Sequence, residues 1–409
     1  MKVLLINKFY YLSGGAERYV FEWEKLLRAH GHQVLVFSMR DPRNRPCAQE
    51  RFFADPVRFD TALPAGDKLR AAAHSVWSRD AGRRLEALLR AEGTPDIAHL
   101  HSFMYQLTPA VLRPLIERGV PLVQTCHEYF HICVNQHLYN HRIDRICEAC
   151  LRHGRLAPLW TRCIKGSLAA SAAGCAAGLA DAFLGRTRDH IQRFFAVGEF
   201  MRGKLIEGGL PPRRVVRMPN FVDAQSIAPG DGPGDYILFL GRLVPQKGIG
   251  TFLRAAGLSA GIPCKIAGGG ALEPDVRRRI AQDGLTHVEA LGHLESDVLC
   301  EIVRRARAVV VPSEWYEPFP LAILEAMAAR RPVIATAIAG PAEMVSHRED
   351  GLLFEPGDAA GLAGAMQELW QDPSAAMEMG RRGREKVVNW YNPRDHYERL
   401  IGHFREVVA

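Results

Sequence analysis

The stretch "AVVVPSEWYEPFPLAILEAMA", residues 308–328, reads as a strand, a proline-punctuated loop and a helix. "AVVVP" is a short β-branched run, "EPFP" turns the chain, and "LAILEAMA" consists of strong helix formers. Strand-like runs alternate with helix-length segments along the whole chain: "KVLLIN", "QVLVFS", "DIAHLH", "PLVQTC" and "DAFLG" first, then "YILFLG", "CKIAG", "HVEALG", "AVVVP" and "PVIAT". That alternation predicts βαβ units and parallel sheets. It lapses at 219–235, "PNFVDAQSIAPGDGPGD", where Pro, Gly and Asp crowd together and no apolar period survives. The predicted fold class is α/β, with two Rossmann-like domains facing across a cleft.

A chain of 409 residues exceeds the roughly 250–300 at which a single core stops growing, which agrees with two domains. The expected boundaries are 1–220 and 221–388, followed by a helix over 389–409 that packs back on the first domain. With 47% hydrophobic and 24% charged residues, disordered and fibrous classes are excluded. The formal net charge of +7 favours anionic partners: phosphate-bearing small molecules, nucleic acid or an anionic lipid surface. The opening "MKVLLINKFYYLSGG" has an apolar core too short for an export signal and reads as a first strand, so a cytoplasmic location is expected. No uninterrupted apolar window reaches the ~18 residues of a membrane span. "SLAASAAGCAAGLA" (167–180) comes nearest, and any membrane contact is expected to be peripheral.

Open α/β sheets bind ligands at the carboxyl ends of their strands, so chemistry should sit in the loops that follow strands. "SGGAER" (13–18) follows the first strand and opens a helix; Gly14 and Gly15 would let main-chain N–H groups approach an anion, a plain turn being the alternative. It lacks the G-x-G-x-x-G spacing of a dinucleotide site, which argues against hydride transfer. "LGRLVPQKG" (240–248) offers Arg242 and Lys247 around one loop, a forked donor and a point charge suited to a diphosphate. Solvated surface charges are the alternative, and the position at a strand end decides against it. "IAGGG" (266–270) adds Gly269 to another strand end. Glu317 falls in the loop after "AVVVP" and Glu325 in the first turns of the helix. Carboxylates accept hydrogen bonds from hydroxyl pairs, so a sugar or ribose suits both better than a metal. Main-chain N–H groups from Phe319 to Ala322 open that helix and would face an anion.

The ordered set, an N-terminal "GG" loop, "GRLVPQKG", "AGGG" and E-x-x-x-x-x-x-x-E in "EPFPLAILE", resembles the retaining glycosyltransferases of family 4, which have the GT-B fold. The likeness spans almost the whole chain in order. It implies that Arg242, Lys247 and the main chain of Phe319, Pro320 and Leu321 hold the diphosphate of a nucleotide-sugar donor, with Gly14 and Gly15 approaching from the other domain. Gly269 would lie at the donor, Leu294 would touch the base, and Glu325 would bind the ribose. Glu317 and His127, in "QTCHEYF", would be the catalytic residues at the transferred sugar. His99 and His101 alternate along one strand face; the resemblance puts them on the acceptor side, a metal pair being the other reading. The chain has no D-x-D motif, so no catalytic metal is expected and the cations and helix N-termini would neutralise the leaving diphosphate. The leaving phosphate would take the acceptor proton, with Glu317 as orienter and charge stabiliser. The implied activity is transfer of a sugar to a glycan or lipid-linked acceptor in surface polysaccharide or glycolipid synthesis.

Five of the nine cysteines fall in 126–163. Cys133, Cys147, Cys150 and Cys163 carry a C-x-x-C pair with two outlying thiols, a spacing suited to tetrahedral structural zinc. An iron–sulfur cluster and unligated buried thiols remain alternatives. This insert, about 131–165, is basic: residues 142–165 hold six Lys or Arg against two acidic groups. With "KLRAAAHSVWSRDAGRRLEALLR" (68–90) it could rest on anionic headgroups at the inner face of the cell membrane. Two rivals stand beside the transferase. One is a nucleotide-sugar epimerase of the same fold, which would need no acceptor; the other is a non-catalytic, zinc-stabilised basic module. The basic clusters lack the interleaved aromatic residues of a base-stacking surface, so no nucleic-acid partner is expected.

Overall fold

The structure, a computed structural model, describes residues 1–57 and 65–409. The chain divides into two compact units, one made of Met1–Ile143, Cys147–Met218 and Tyr397–Ala409, the other of Asp144–Ile146 and Pro219–His396. The first unit is built on a parallel sheet of β1 (Lys2–Ile6), β2 (Gln33–Phe37), β3 (Ile97–Leu100), β4 (Leu122–Cys126), β5 (Ile191–Ala196) and β6 (Val215–Arg217), in the order β2-β1-β3-β4-β5-β6. Helices cover both faces, so successive residues of β1 are buried regardless of side: Val3, Leu4, Leu5 and Ile6 are each at most 1% exposed. Each such side chain contributes roughly 1.5–3 kcal/mol on burial. From helix Gly15–Ala29, buried Trp23 meets Phe404 edge-on at 5.9 Å, so the end of helix Pro393–Val408 is part of this core.

The second unit holds β7 (Tyr236–Leu240), β8 (Cys264–Ala267), β9 (Val288–Gly292), β10 (Ala306–Val311), β11 (Val333–Thr336) and β12 (Gly351–Phe354), all parallel, in the order β9-β8-β7-β10-β11-β12. The order therefore reverses between β7 and β10, and the connections leaving these two neighbours diverge to opposite sides. In open sheets that divergence leaves a crevice at the carboxyl ends. Phe239 of β7 and Phe252 of helix Ile249–Leu258 pack at 5.4 Å in its core. A bulge in β10 between Ala306 and Ala308 takes the buried Arg307, whose guanidinium donates to the carbonyls of Trp370 at 2.7 Å and Leu369 at 3.2 Å.

Nine of the expected strand segments lie in these sheets, and one does not. "DAFLG" is helical, continuing helix Leu168–Ala180, and the fifth strand comes later, at Ile191–Ala196. The reason is polar and local: Asp181 is buried, accepts from Thr187 Oγ1 at 2.6 Å and pairs with Arg155 at 3.2 Å. Such a carboxylate is satisfied at a helix end more readily than inside a sheet. β6 and β12 are short edge strands, too brief to show a period. Leu168–Gly185 has a mean hydropathy of 1.4 and, among the described residues, is long and apolar enough to cross a membrane by length and composition. Ser171 and Asp181 interrupt it, so it is not the uninterrupted apolar window that the chain was expected to lack. With Asp181 paired inside it, the stretch also fits the requirements of a helix in a protein core.

Candidate active site

The loops at the β7 and β10 ends bring Lys247 and Glu317 together. Lys247 stands on the tight turn Pro245–Lys247, and Gly248 follows at φ +71°, where a Cβ would collide with the Pro312 carbonyl. That close approach presses the β7 loop against the β10 loop, and Glu314 N donates to Gln246 O at 2.9 Å across the seam. Glu317 is 5% exposed. Its Oε1 accepts from Lys247 Nζ and its Oε2 from Ser313 Oγ, so both oxygens are engaged. Ser313 is held in turn, since its carbonyl accepts from Thr336 Oγ1 at 2.8 Å. Gly340 N donates to Glu317 O at 3.0 Å, and a Cβ on Gly340 would strike the Glu317–Pro318 main chain. The carboxylate is thus fixed by three strand-end segments of one sheet.

The remaining donor candidates of this unit share that sheet end. Arg242 is exposed in the β7 loop, and Gly269 lies after β8, with its carbonyl accepting from Leu243 N at 2.9 Å. Half-buried Leu294 follows β9. Pro320 precedes helix Leu321–Ala328 without a side-chain cap, so the first N–H groups of the helix carry no such partner. Glu325 is half-buried on that helix. Phe319 turns its ring inward, 5.7 Å from Tyr391, which leaves its main chain as the part that a ligand would meet.

In the first unit, Gly14 and Gly15 are exposed where helix Gly15–Ala29 begins. His101 Nδ1 and His127 Nε2 share a hydrogen bond of 3.2 Å, and Tyr19 meets both rings edge-on, at 5.8 and 5.1 Å. Burial depresses both imidazoles, His101 well below the usual range and His127 to about 4, so both are neutral near pH 7. His101 Nε2 is buried with no hydrogen-bond partner among the described residues. His99 is set apart: it is 0% exposed, bonded to Thr125 Oγ1 at 2.8 Å and packed against Phe404 at 5.3 Å, which makes it a core histidine behind His101. Reading the sequence missed Lys8, Asn7, Ser102 and Glu128. Glu128 pairs with Lys8 at 3.0 Å and accepts from Ser102 Oγ at 3.1 Å, while Asn7 Oδ1 accepts from Ser102 N at 3.1 Å. Burial alone would raise the Glu128 carboxyl, but the Lys8 ammonium holds it below its ordinary value. The available signal was position, since Lys8 follows β1 directly and Glu128 adjoins His127.

The four cysteines of the insert lie on separate segments of the first unit. Cys133 Sγ donates to Asn135 Oδ1 at 2.9 Å, and burial pushes the Cys163 thiol up to about 11. All are free thiols. Among the described residues no group of three or more His, Cys, Asp or Glu side chains is already arranged to hold a metal ion.

Residues 13–226 match the family described as Glycosyltransferase Family 4, and residues 226–386 the one described as Glycosyl transferases group 1. A glycogen synthase of Mycobacterium tuberculosis is 28% identical over 95% of this chain and 91% of its own length. A D-inositol 3-phosphate glycosyltransferase of Acidothermus cellulolyticus is 27% identical over 97% and 86%. Among solved structures, a sucrose-phosphate synthase of Thermosynechococcus elongatus superposes with a TM-score of 0.71 at 19% identity, covering 99% of this chain and 98% of that one. The Anabaena protein HepE in complex with UDP and glucose gives 0.71 at 14%, covering 99% and 100%. Two parallel α/β units with these likenesses define a glycosyltransferase of the GT-B fold class. More narrowly, the chain belongs to glycosyltransferase family 4.

Proposed function

We propose that this glycosyltransferase uses a nucleotide-diphosphate sugar and transfers its sugar with retention to a glycan or lipid-linked acceptor in surface polysaccharide or glycolipid synthesis. The observation that carries the reading is the Glu317 carboxylate, buried and gripped by Lys247 and Ser313 at the reversal of strand order. There a Lys247 ammonium can meet a diphosphate, with exposed Arg242 and the uncapped N–H groups of Leu321 and Ala322 adding positive charge. Glu317 then orients the sugar hydroxyls and stabilises charge as the glycosidic bond breaks. Glu325 receives the ribose, Gly269 lets the donor approach the main chain, and Leu294 lies against the base. In the first unit, His127, backed by His101, is a neutral hydrogen-bonding group. Retention follows if the leaving phosphate accepts the acceptor proton on the face it departs from, which calls for no separate base.

Two relatives support this reading, one a glycogen synthase and one a D-inositol 3-phosphate glycosyltransferase. A thermal-shift panel of UDP-, GDP-, ADP- and TDP-sugars identifies the base, and NMR of the product's anomeric proton reads the stereochemistry. An inverted linkage would remove the retaining reading, and conversion of sugar nucleotide without acceptor would favour an epimerase. Glu317→Gln and Lys247→Ala are expected to abolish transfer in folded protein, and near-normal turnover in either would refute the assignment. The insert's exposed Trp160 and Leu156, beside its excess of arginines, support contact with anionic lipid. Of the other basic segment, 68–90, Lys68 and Leu69 lie outside the described side chains. Flotation with vesicles that shows no dependence on anionic lipid would count against the contact.

A further inference from the structure

We propose that the second unit carries a site for a phosphate group, free or as a small ester, separate from the diphosphate contacts of Lys247 and Arg242. A cavity of about 180 Å³ opens between helix Ile249–Leu258 and helix Glu273–Gln282, bounded by Pro245 of the β7 loop and Glu314 of the β10 loop. Part of its wall is apolar: Ile249, Leu253 and Val276 are each at most 2% exposed. Two guanidinium groups converge on it. Arg254 Nη1 and Arg279 Nη1 lie 3.6 and 3.8 Å from the point where a Cβ on Gly250 would sit, so both cations reach one spot and the glycine makes the room for it. Arg254 is aimed by a chain of contacts, since its Nη2 donates to Thr251 Oγ1 at 2.8 Å and buried Thr251 donates to Glu314 Oε1. The side chain of half-buried Arg279 makes no hydrogen bond or ion pair among the described residues. A cation drawn partly out of water without a partner costs free energy that an anion recovers.

The chemistry of the wall selects the ligand. Converging guanidiniums offer planar forks of N–H donors, which match the oxygens of a phosphate. Two acids also border the cavity, but Asp275 pairs with Arg278 and Glu314 accepts from Thr251, so neither is the partner of Arg279. Size narrows the choice further. The cavity, at about 180 Å³, is smaller than the roughly 300–1,000 Å³ of sites for drug-sized ligands, so it suits a phosphate or a small phosphate ester and not a nucleoside diphosphate. Occupancy also bears on the neighbouring loops. An anion that takes Arg254 competes with Thr251 for it, and Thr251 holds Glu314 on the loop that carries Glu317.

The test is calorimetric titration of the full chain with inorganic phosphate, at an ionic strength held constant with chloride. Binding in the millimolar range or tighter is expected, and Arg279→Gln should weaken it about tenfold or more, the worth of one charge-assisted hydrogen bond. Gly250→Leu probes the place and not the charge. Gly250 needs no left-handed backbone and leucine suits a helix, so the variant should fold while its side chain fills the spot between the guanidiniums and abolishes phosphate binding. Lys247→Ala, which strips the β7 loop of its point charge, should keep phosphate bound. Binding that is absent at millimolar phosphate, or unchanged in both Arg279→Gln and Gly250→Leu, overturns the site. So does binding that survives Arg279→Gln and disappears in Lys247→Ala, which assigns the anion to the donor loops. A parallel titration with a hexose 6-phosphate separates the sources: tighter binding than inorganic phosphate identifies the ester, and equal or weaker binding identifies the free anion.

Discussion

Lys247 and Glu317 are both largely withdrawn from water, with side chains 16% and 7% exposed, and each is the other's charge partner. Removing one end leaves a buried charge uncompensated, at a cost of about 3–5 kcal/mol, whereas removing both costs less. Lys247→Met should therefore lower the urea midpoint of the protein clearly, and adding Glu317→Gln should restore part of the loss. Strict additivity of the two would show that the pair is not coupled. Both residues were legible in the sequence because a charged residue one turn past a strand-like run is where sheet ligands bind. Ser313 was not, since nothing distinguishes a serine in a loop until the carboxylate it serves has been located. The same holds for Lys8 and Glu128, which are 120 positions apart in sequence and 3.0 Å apart in space.

At the scale of elements, the carboxyl ends of β3 and β4 carry an unusual load of neutral imidazole. His101 and His131 are each 1% exposed, and burial, reinforced by neighbouring His99 and His127 for the first and by Arg188 and Arg155 for the second, holds both well below the ordinary value of about 6.5. As pH falls below that value the unfolded chain binds protons that the folded one refuses, so the stability these groups supply at neutral pH is lost on acidification. Urea midpoints should be lower at about pH 5.5 than at about 7.5, and His101→Asn should flatten the difference. A midpoint that does not change over that range would contradict the burial argument. Strands with a long β-branched run were readable from the sequence. β6 and β12 were not, because three or four residues at a sheet edge leave no period, and "DAFLG" misled because its composition carries no sign of the Arg155–Asp181 pair.

For the whole molecule, the first unit is completed by the chain's far end. Phe404 is fully buried, meeting Trp23 at 5.9 Å and His99 at 5.3 Å. Phe404→Ala should cost about 3–5 kcal/mol and shift Trp23 fluorescence toward the red. Deleting 397–409 should destabilise the first unit more strongly; an unaltered unfolding curve would mean that the helix merely rests on the surface. The interruption at 219–235 and the alternation of strands were enough to indicate two sheets of one class. Which unit receives the last helix was less plain, since its amphipathic pattern names a face to cover and not the surface that covers it.

That arrangement imposes an order of events during synthesis. A ribosome delivers the first unit's strands early, yet the residues that close its aromatic core emerge only after those of the second unit. Until then Trp23 and its neighbours stand uncovered, and the nascent N-terminal half is the portion that a chaperone would recognise.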